Sequence, residues 1–200
     1  MIEAIRAQLT KCTTRCVRVP RLRVKTARRF ARGEDGMATV EFGIVALPFF
    51  ALIFAVIETA MIFFAGQTLE VAVADSARLI LTGQAQNQSF AQSDFKNAVC
   101  AHIHALFDCV NNLQVDVKTY ASFSAISTSP PVDSQGNLQT ASFGYTPGNA
   151  CDIVMVRLMY PWPVYASLLG LGGLANLNGG SHLIMATAAF RNEPFGSGSC

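Results

Sequence analysis

The residues best placed to do chemistry lie in one short run, Gly36-Met37-Ala38-Thr39-Val40-Glu41-Phe42. A glycine closes a basic segment, a carboxylate follows five residues later, and an aromatic residue opens an apolar stretch. A charge beside hydrocarbon costs up to ~3 kcal/mol if it goes deep, so Glu41 does not serve fold stability there. One reading is that it snorkels to the headgroups.

Cysteines form the second set. Cys12 and Cys16 precede the apolar stretch, and Cys100, Cys109, Cys151 and Cys200 follow it. An even number on one side suggests disulfides in an oxidising compartment. Three pairings are open, and the preferred one joins Cys100 to Cys109 across a short loop and Cys151 to Cys200 at the tail. The one metal candidate is Cys100, His102, His104 and Cys109. Residues two apart on a helix point to different sides, so the two histidines would not converge. Neither metal nor cofactor is expected. No G-x-S-x-G, H-E-x-x-H or P-loop pattern is present, and the glycines at 170–173 lack the strand–turn–helix setting. Glu58, Asp75 and Asp94 are spaced like surface charges. The chain does not read as an enzyme.

The element that must position Glu41 is a long apolar helix. From Phe42 to Phe64 the chain runs twenty-three residues with Glu58 as its only charge. About twenty apolar residues cross a ~30 Å hydrocarbon core. Hydrophobic residues make up 51% of the 200 and charged residues 14%, against about a quarter charged in ordinary soluble domains. Residues 1–36 hold ten basic residues against three acidic ones, net +7, and the remaining 164 hold five against ten, net −5. Basic flanks stay cytoplasmic, which places 1–36 inside as a leader, 37–64 in the membrane, and 65–200 outside. A nucleic-acid role for the basic head loses to this reading, since a membrane flank already explains it. The apolar run also exceeds the about 7–15 residues of a secretory signal, so retention is favoured. Pro48 removes a helix hydrogen bond and kinks the span. Gly43, Ala46, Ala51, Ala55 and Ala60 allow close helix approach. Glu58 is either a solvated charge at the outer interface, the preferred reading, or a buried charge needing a partner.

Beyond the span the pattern is α+β. Leu69, Val73, Ala77 and Ile80 continue the helix over 65–82, with Gly83 as its stop. A second helix is expected over 89–107, capped by Ser89 or Ser93, with Phe95, Val99, Ile103 and Leu106 on one face. Leu113, Val115 and Val117 alternate with polar residues in a strand running towards Phe123. A loop follows at 128–137. Residues 151–160 read as a buried strand ended by Pro161 and Pro163, 164–180 as a short helix and glycine-rich loop, and 181–192 as a third strand. The apolar stretch from Leu168 to Leu177 is too short for a second span. It reads as a loop packed on the sheet, or as a contact patch for another subunit or the membrane surface. The soluble part spans about 130 residues, which limits its core.

The junction G-M-A-T-V-E-F resembles the processing site of type IV pilin-like proteins, in the form found in tight-adherence (Tad/Flp) pilins and pseudopilins. Residues 28–83 as a whole resemble the TadE-like family: a basic leader, G-x-x-x-V-E-F, the pair Leu47-Pro48, a later Glu58, and Gln67, Leu69, Glu70, Ala77 and Arg78. The closing ATAAFRNEPF resembles that family's last strand and tail. Residues 84–183 carry little of the resemblance. The 36-residue leader is long for the type, and Glu34-Asp35 stands where a basic residue is expected. The resemblance implies a single-pass inner-membrane protein whose small pilin-like periplasmic domain carries an antiparallel sheet. It implies cleavage by a prepilin peptidase after Gly36, leaving Met37 as the new amino terminus and Glu41-Phe42 as its fifth and sixth residues. Glu41, Pro48 and Glu58 would then serve helix assembly. The implied partners are membrane lipids, other Tad pilins or pseudopilins, and the pilus assembly platform, with no nucleic acid. The implied role is assembly of a Tad/Flp-type pilus for adhesion. The competing reading is a membrane-tethered periplasmic sensor or receptor.

Overall fold

Residues 65–81 bury a stripe at helical spacing, Ala65, Leu69, Ala72, Val73, Ser76, Ala77 and Ile80, and this stripe is the surface on which the rest of the chain is built. The structure, a computed structural model, describes residues 36–103, 106–165 and 172–196. The order of elements is α1 (Met37–Leu81), α2 (Gln84–Asn87), α3 (Gln92–Ile103), α4 (Cys109–Asn112), β1 (Gln114–Tyr120), β2 (Ile153–Pro163) and β3 (Ser181–Arg191). The strands form one antiparallel sheet in the order β1-β2-β3. The fold is therefore α+β, a long apolar helix followed by a small domain with a three-stranded antiparallel sheet. The chain divides into two compact units, Met1–Pro48 and Phe49–Cys200, and the boundary falls inside α1 at Pro48.

One face of the sheet packs on the helices. Val115 and Val117 of β1, Val154, Val156, Leu158 and Tyr160 of β2, and Ile184 and Ala186 of β3 join Leu69, Val73, Ile80, Phe95 and Val99 in a single core. Side chains alternate across a strand, so the opposite face carries Asp116, Met155, Arg157 and Met159, and these too are buried. Loops reach this side. Gly144 N–H donates to Asp116 Oδ1 at 2.9 Å. Asn178 N–H donates to Gly136 O at 2.7 Å, tying the 131–139 turn to the segment before β3. Gly136 sits at φ +81°, and a Cβ there would lie 3.0 Å from the Asn178 nitrogen, so both conformation and space require glycine.

Several expectations are revised. Neither Ser89 nor Ser93 caps α3. Asp94 reaches back to accept from Ala91 N–H at 2.9 Å, and Ser89 adopts φ 52° in the turn before. The helix starts later than 89 because α2 and its turn occupy 84–90; its described part runs to Ile103, residues 104–105 lie outside the described residues, and Leu106 packs on the core. β1 ends at Tyr120, and Phe123 lies in an exposed turn. Pro161 does not end β2, which runs through it to Pro163 as its last residue; the two prolines pair with Leu183 and Ser181. β1 reaches only Met159, so the missing N–H groups of both prolines face a side with no neighbouring strand, where proline is tolerated. The 164–180 segment contains a 3-10 turn at Gly172–Leu174, while 166–171 lie outside the described residues, as do the leader 1–35, His104 and Cys200.

Covalent and local locks complete the domain. Cys100 and Cys109 form the expected disulfide, with Cα atoms 5.7 Å apart, worth roughly 2–3 kcal/mol by chain-entropy arguments for so short a loop. Cys151 is also disulfide-bonded. Beside the first bridge, Phe107 meets Tyr160 edge-on at 4.8 Å and Trp162 at 5.9 Å. After α1, Gly83 turns the chain at φ +75°, and the Phe195 ring lies against it, 2.4 Å from where a Cβ would stand.

Tyr145 extends the helix-facing core beyond β1 and packs on Phe95. Its hydroxyl is buried without a partner. Burial, with a smaller contribution from the Asp94 charge, pushes its pKa from 10.0 up to about 12. The folded state thus keeps a proton that the unfolded chain loses, so this contribution to stability is full below pH 10 and disappears as pH rises towards 12. In an ultraviolet phenolate titration, Tyr145→Phe is expected to remove the component that titrates near pH 12. Its neutral-pH stability should change little, because no hydrogen bond is lost. Separately, Gly83→Ala is expected to cost at least about 1–2 kcal/mol in urea unfolding, and combining it with Phe195→Ala should cost less than the sum of the two changes.

Candidate processing junction and helix face

The junction sits where the helix begins. α1 starts at Met37, so Gly36 stands just outside and Glu41 is the fifth helical residue. Gly36, Met37, Glu41 and Phe42 are all exposed, and a Cβ on Gly36 would meet nothing within 4 Å. Among the described residues nothing covers the Gly36–Met37 bond, and the residue on its amino-terminal flank is an unhindered glycine. Glu41 sits one turn along, facing outward with no partner among the described residues.

Above it the helix is bare. Phe42, Val45, Leu47, Phe49, Leu52, Phe54, Val56, Phe63 and Phe64 are all exposed on different sides of the rod. Forty-five residues of helix contain a span of mean hydropathy 2.5 with 0% of it buried, long and apolar enough to cross a membrane. A core helix of a soluble protein would be covered over that stretch. Pro48 lies within it and leaves the Ile44 carbonyl without its helical donor. The hydroxyls near the upper part need no outside partner. Thr59 donates to Ala55 O at 2.8 Å, Thr68 to Phe64 O at 2.9 Å, and Ser76 to Ala72 O at 2.6 Å.

Glu58 differs from both sequence alternatives. It is half-buried, and its Oε1 accepts the backbone N–H of Tyr165, just after β2. The carboxylate is neither freely solvated nor waiting for another chain. It marks the level at which the folded domain first touches α1, seven residues before Ala65 begins the buried stripe.

The sequence-predicted residues thus fall into separate groups. Gly36, Met37, Glu41 and Phe42 are brought together at the helix start, Pro48 interrupts the bare segment, and Glu58 belongs to the domain boundary. Cys100 and Cys109 meet in a disulfide, and His104 of the metal candidate lies outside the described residues; among the described residues no cluster of three possible ligands is present.

Sequence reasoning passed over the most heavily engaged charged pair. Arg157 donates to Asp116 Oδ2 through Nε at 3.1 Å and also through Nη2, and the Asp116 Oδ1 faces Lys118 Nζ at 3.3 Å. Asp116 is 1% exposed and Arg157 7%. The signal was present in an arginine amid the apolar run IVMVRLMY and an aspartate at a supposedly outward strand position. Register then places them opposite each other. The pair fixes the loop at Gly144 over the sheet and performs no evident chemistry. Asp116→Ala leaves a buried guanidinium unpaired and is expected to cost about 3–5 kcal/mol in detergent-solubilised protein. Replacing both members by Val and Met should recover most of that in the same urea measurement.

A family model described as TadE-like protein matches residues 36–78. The match opens on Gly36 and covers Glu41, Pro48, Glu58 and the A-R pair at Ala77-Arg78, in agreement with the resemblance read from those residues. The tail at 184–195 lies beyond it. No curated protein and no solved structure matches the chain.

Proposed function

We propose that the chain is a membrane-anchored, TadE-like minor pilin or pseudopilin that takes part in assembling a Tad/Flp-type pilus for surface attachment. One observation carries the reading: the family match begins at Gly36 and runs along the same helix that is bare below Phe64 and buried from Ala65. On this reading residues 1–36 stay in the cytoplasm, held there by their net +7 charge, and the sheet domain lies in the periplasm. The Cys100–Cys109 bridge suits an oxidising compartment.

The mechanism follows from the junction. A prepilin peptidase cuts the exposed bond after Gly36 and releases Met37 as an ammonium. That new charge lies four residues from Glu41. A carboxylate in lipid is costly alone, and the amine of a neighbouring subunit offsets it. Because the amine exists only after cleavage, processing licenses assembly, and the pairing fixes the axial stagger between helices. The partners are then membrane lipids, the peptidase, other pilins or pseudopilins, and the assembly platform.

A tethered receptor would need a ligand cavity. One pocket among the described residues, between α3 and β1 and lined by Gln92, Ser93, Lys96, Leu113, Gln114 and Val115, holds about 290 Å³, at the small end of the ~300–1,000 Å³ typical of ligand sites.

Mass spectrometry of the chain from cells containing the peptidase should find Met37 as the amino terminus. A chain retaining residues 1–36 there overturns the processing step. Glu41→Ala is expected to insert and be cleaved normally yet to lower assembly by at least about tenfold, counted as assembled pili. Normal piliation in that variant would rule out the pairing.

A further inference from the structure

The two edges of the sheet are treated differently. At β3, Leu183 N–H donates to Asn176 Oδ1 at 2.7 Å, and Ser181 O accepts from Asn176 N–H at 3.1 Å and Leu177 N–H at 2.9 Å. Odd-numbered residues of β3 therefore turn their backbone groups away from β2. Continuing that parity, Met185, Thr187 and Ala189 present their N–H and C=O groups outward, and no group among the described residues meets them. Thr187 and Ala189 are exposed.

The opposite edge is closed. Val117 N–H donates to Gly144 O at 2.8 Å, Thr146 N–H to Val117 O at 2.9 Å, and Gln92 Nε2 to Val115 O at 2.8 Å. Where β2 outruns β1, its outward positions are Pro161 and Pro163, which have no N–H to offer. β3 carries no such device between Met185 and Ala189. It has no proline or lysine there, and its register with β2 is unbroken from Ser181 to Arg191. An unguarded edge of this kind is a template for another strand.

We propose that the outer edge of β3, from Met185 to Ala189, receives an extended strand of a different protein. The outward side chains bordering it, Met185, Thr187 and Ala189, are uncharged, so the incoming strand is uncharged along its middle. Exposed Arg191 lies at the end of this edge, with its Nε held on Cys151 O at 2.9 Å on the β2 side. A second copy does not fit. With β1 closed, it offers only its own β3, and two antiparallel β3 strands are related by a two-fold axis normal to the sheet. α1 lies on the sheet's face through Ala65 to Ile80, so that rotation reverses it, and the apolar segments from Phe49 to Phe64 of the two copies could not enter one bilayer. This last step rests on the membrane-anchored reading above.

The test places a photo-cross-linking benzoylphenylalanine at Met185, Thr187 or Ala189 of the full chain in the membranes of the cells that make it. The expected products join a different polypeptide, at positions that advance two residues for each two-residue step of the probe. With the probe at Thr187, Ala189→Pro removes an outward N–H and should cut the yield at least about tenfold, while the Cys100–Cys109 bridge and circular dichroism stay unchanged. If that variant does not fold, Thr187→Lys with the probe at Met185 replaces it. Products that join only a second copy, land at helical spacing, or are absent overturn the proposal. A strand-spaced product on a chain that retains residues 1–36 keeps this proposal and sinks the pilin reading, and Met37 as amino terminus without any product does the reverse.

Discussion

Everything in this chain depends on one helix whose two halves make different demands: one is long and apolar enough to cross a membrane, the other is covered by the folded domain. α1 satisfies its own backbone hydrogen bonds along its length apart from the interruption at Pro48, so it is indifferent to whether water or hydrocarbon surrounds it. Its side chains are not indifferent. From Phe42 to Phe64 they are apolar around the rod except at Glu58 and Thr59, and from Ala65 they divide into a buried stripe and an outer face bearing Gln67, Glu70, Asp75 and Arg78. The hydroxyls of Thr59, Thr68 and Ser76 fold back onto carbonyls of the preceding turn. The change of environment therefore needs no break in the backbone, only a change in what the side chains require.

The domain built on the buried stripe is thin, and it compensates by covering both faces of its sheet. Helices supply one cover. On the other side three strands carry methionines and an ion pair, and loops must reach across. Asp116 is the point at which these demands meet. Its carboxylate takes the Arg157 fork, the Gly144 amide and the Lys118 ammonium, so strand pairing, loop position and charge balance are set by one side chain. An apolar pair of the same volume would pack as well but would give the loop no acceptor, which is a reason for a buried charge that stability alone does not supply.

Periodicity exposed much of this to sequence reading. The long apolar run, the alternation from Leu113 to Val117, and the short spacing from Cys100 to Cys109 each reflect a local rule that tertiary structure did not override. What stayed hidden was non-local. Pro161 and Pro163 are strand breakers only beside a neighbouring strand, and no residue nearby says that β1 stops at Met159. Glu58 resembled a surface or membrane charge because its partner, the Tyr165 amide, is more than a hundred residues away. Asp94 rather than a serine caps α3 because it, and not they, reaches the Ala91 amide. At the junction, residue types were readable from 36 to 42, whereas their shared exposure was not.

The far end of α1 shows how a small domain holds a helix whose other half is bare and apolar. Glu193 N–H donates to Leu81 O at 2.9 Å, closing one orphan carbonyl of the helix terminus. Gln86 and Asn192 both donate to Pro147 O at 3.0 Å, and Asn192 donates again to Asn149 O at 2.8 Å. Cys151 adopts φ 69°, a conformation costing a non-glycine residue of order 1–3 kcal/mol. It is held there by its disulfide and by Arg191 Nε on its carbonyl. Helix end, loop and last strand are thus tied at one place by hydrogen bonds. A pull on the apolar half of α1 would be carried along the helix hydrogen bonds to this knot and to the buried stripe together. A domain with so modest a core would otherwise part from its helix by sliding apolar surfaces, which resist shear weakly. Directional hydrogen bonds resist it, and they stand where the helix ends.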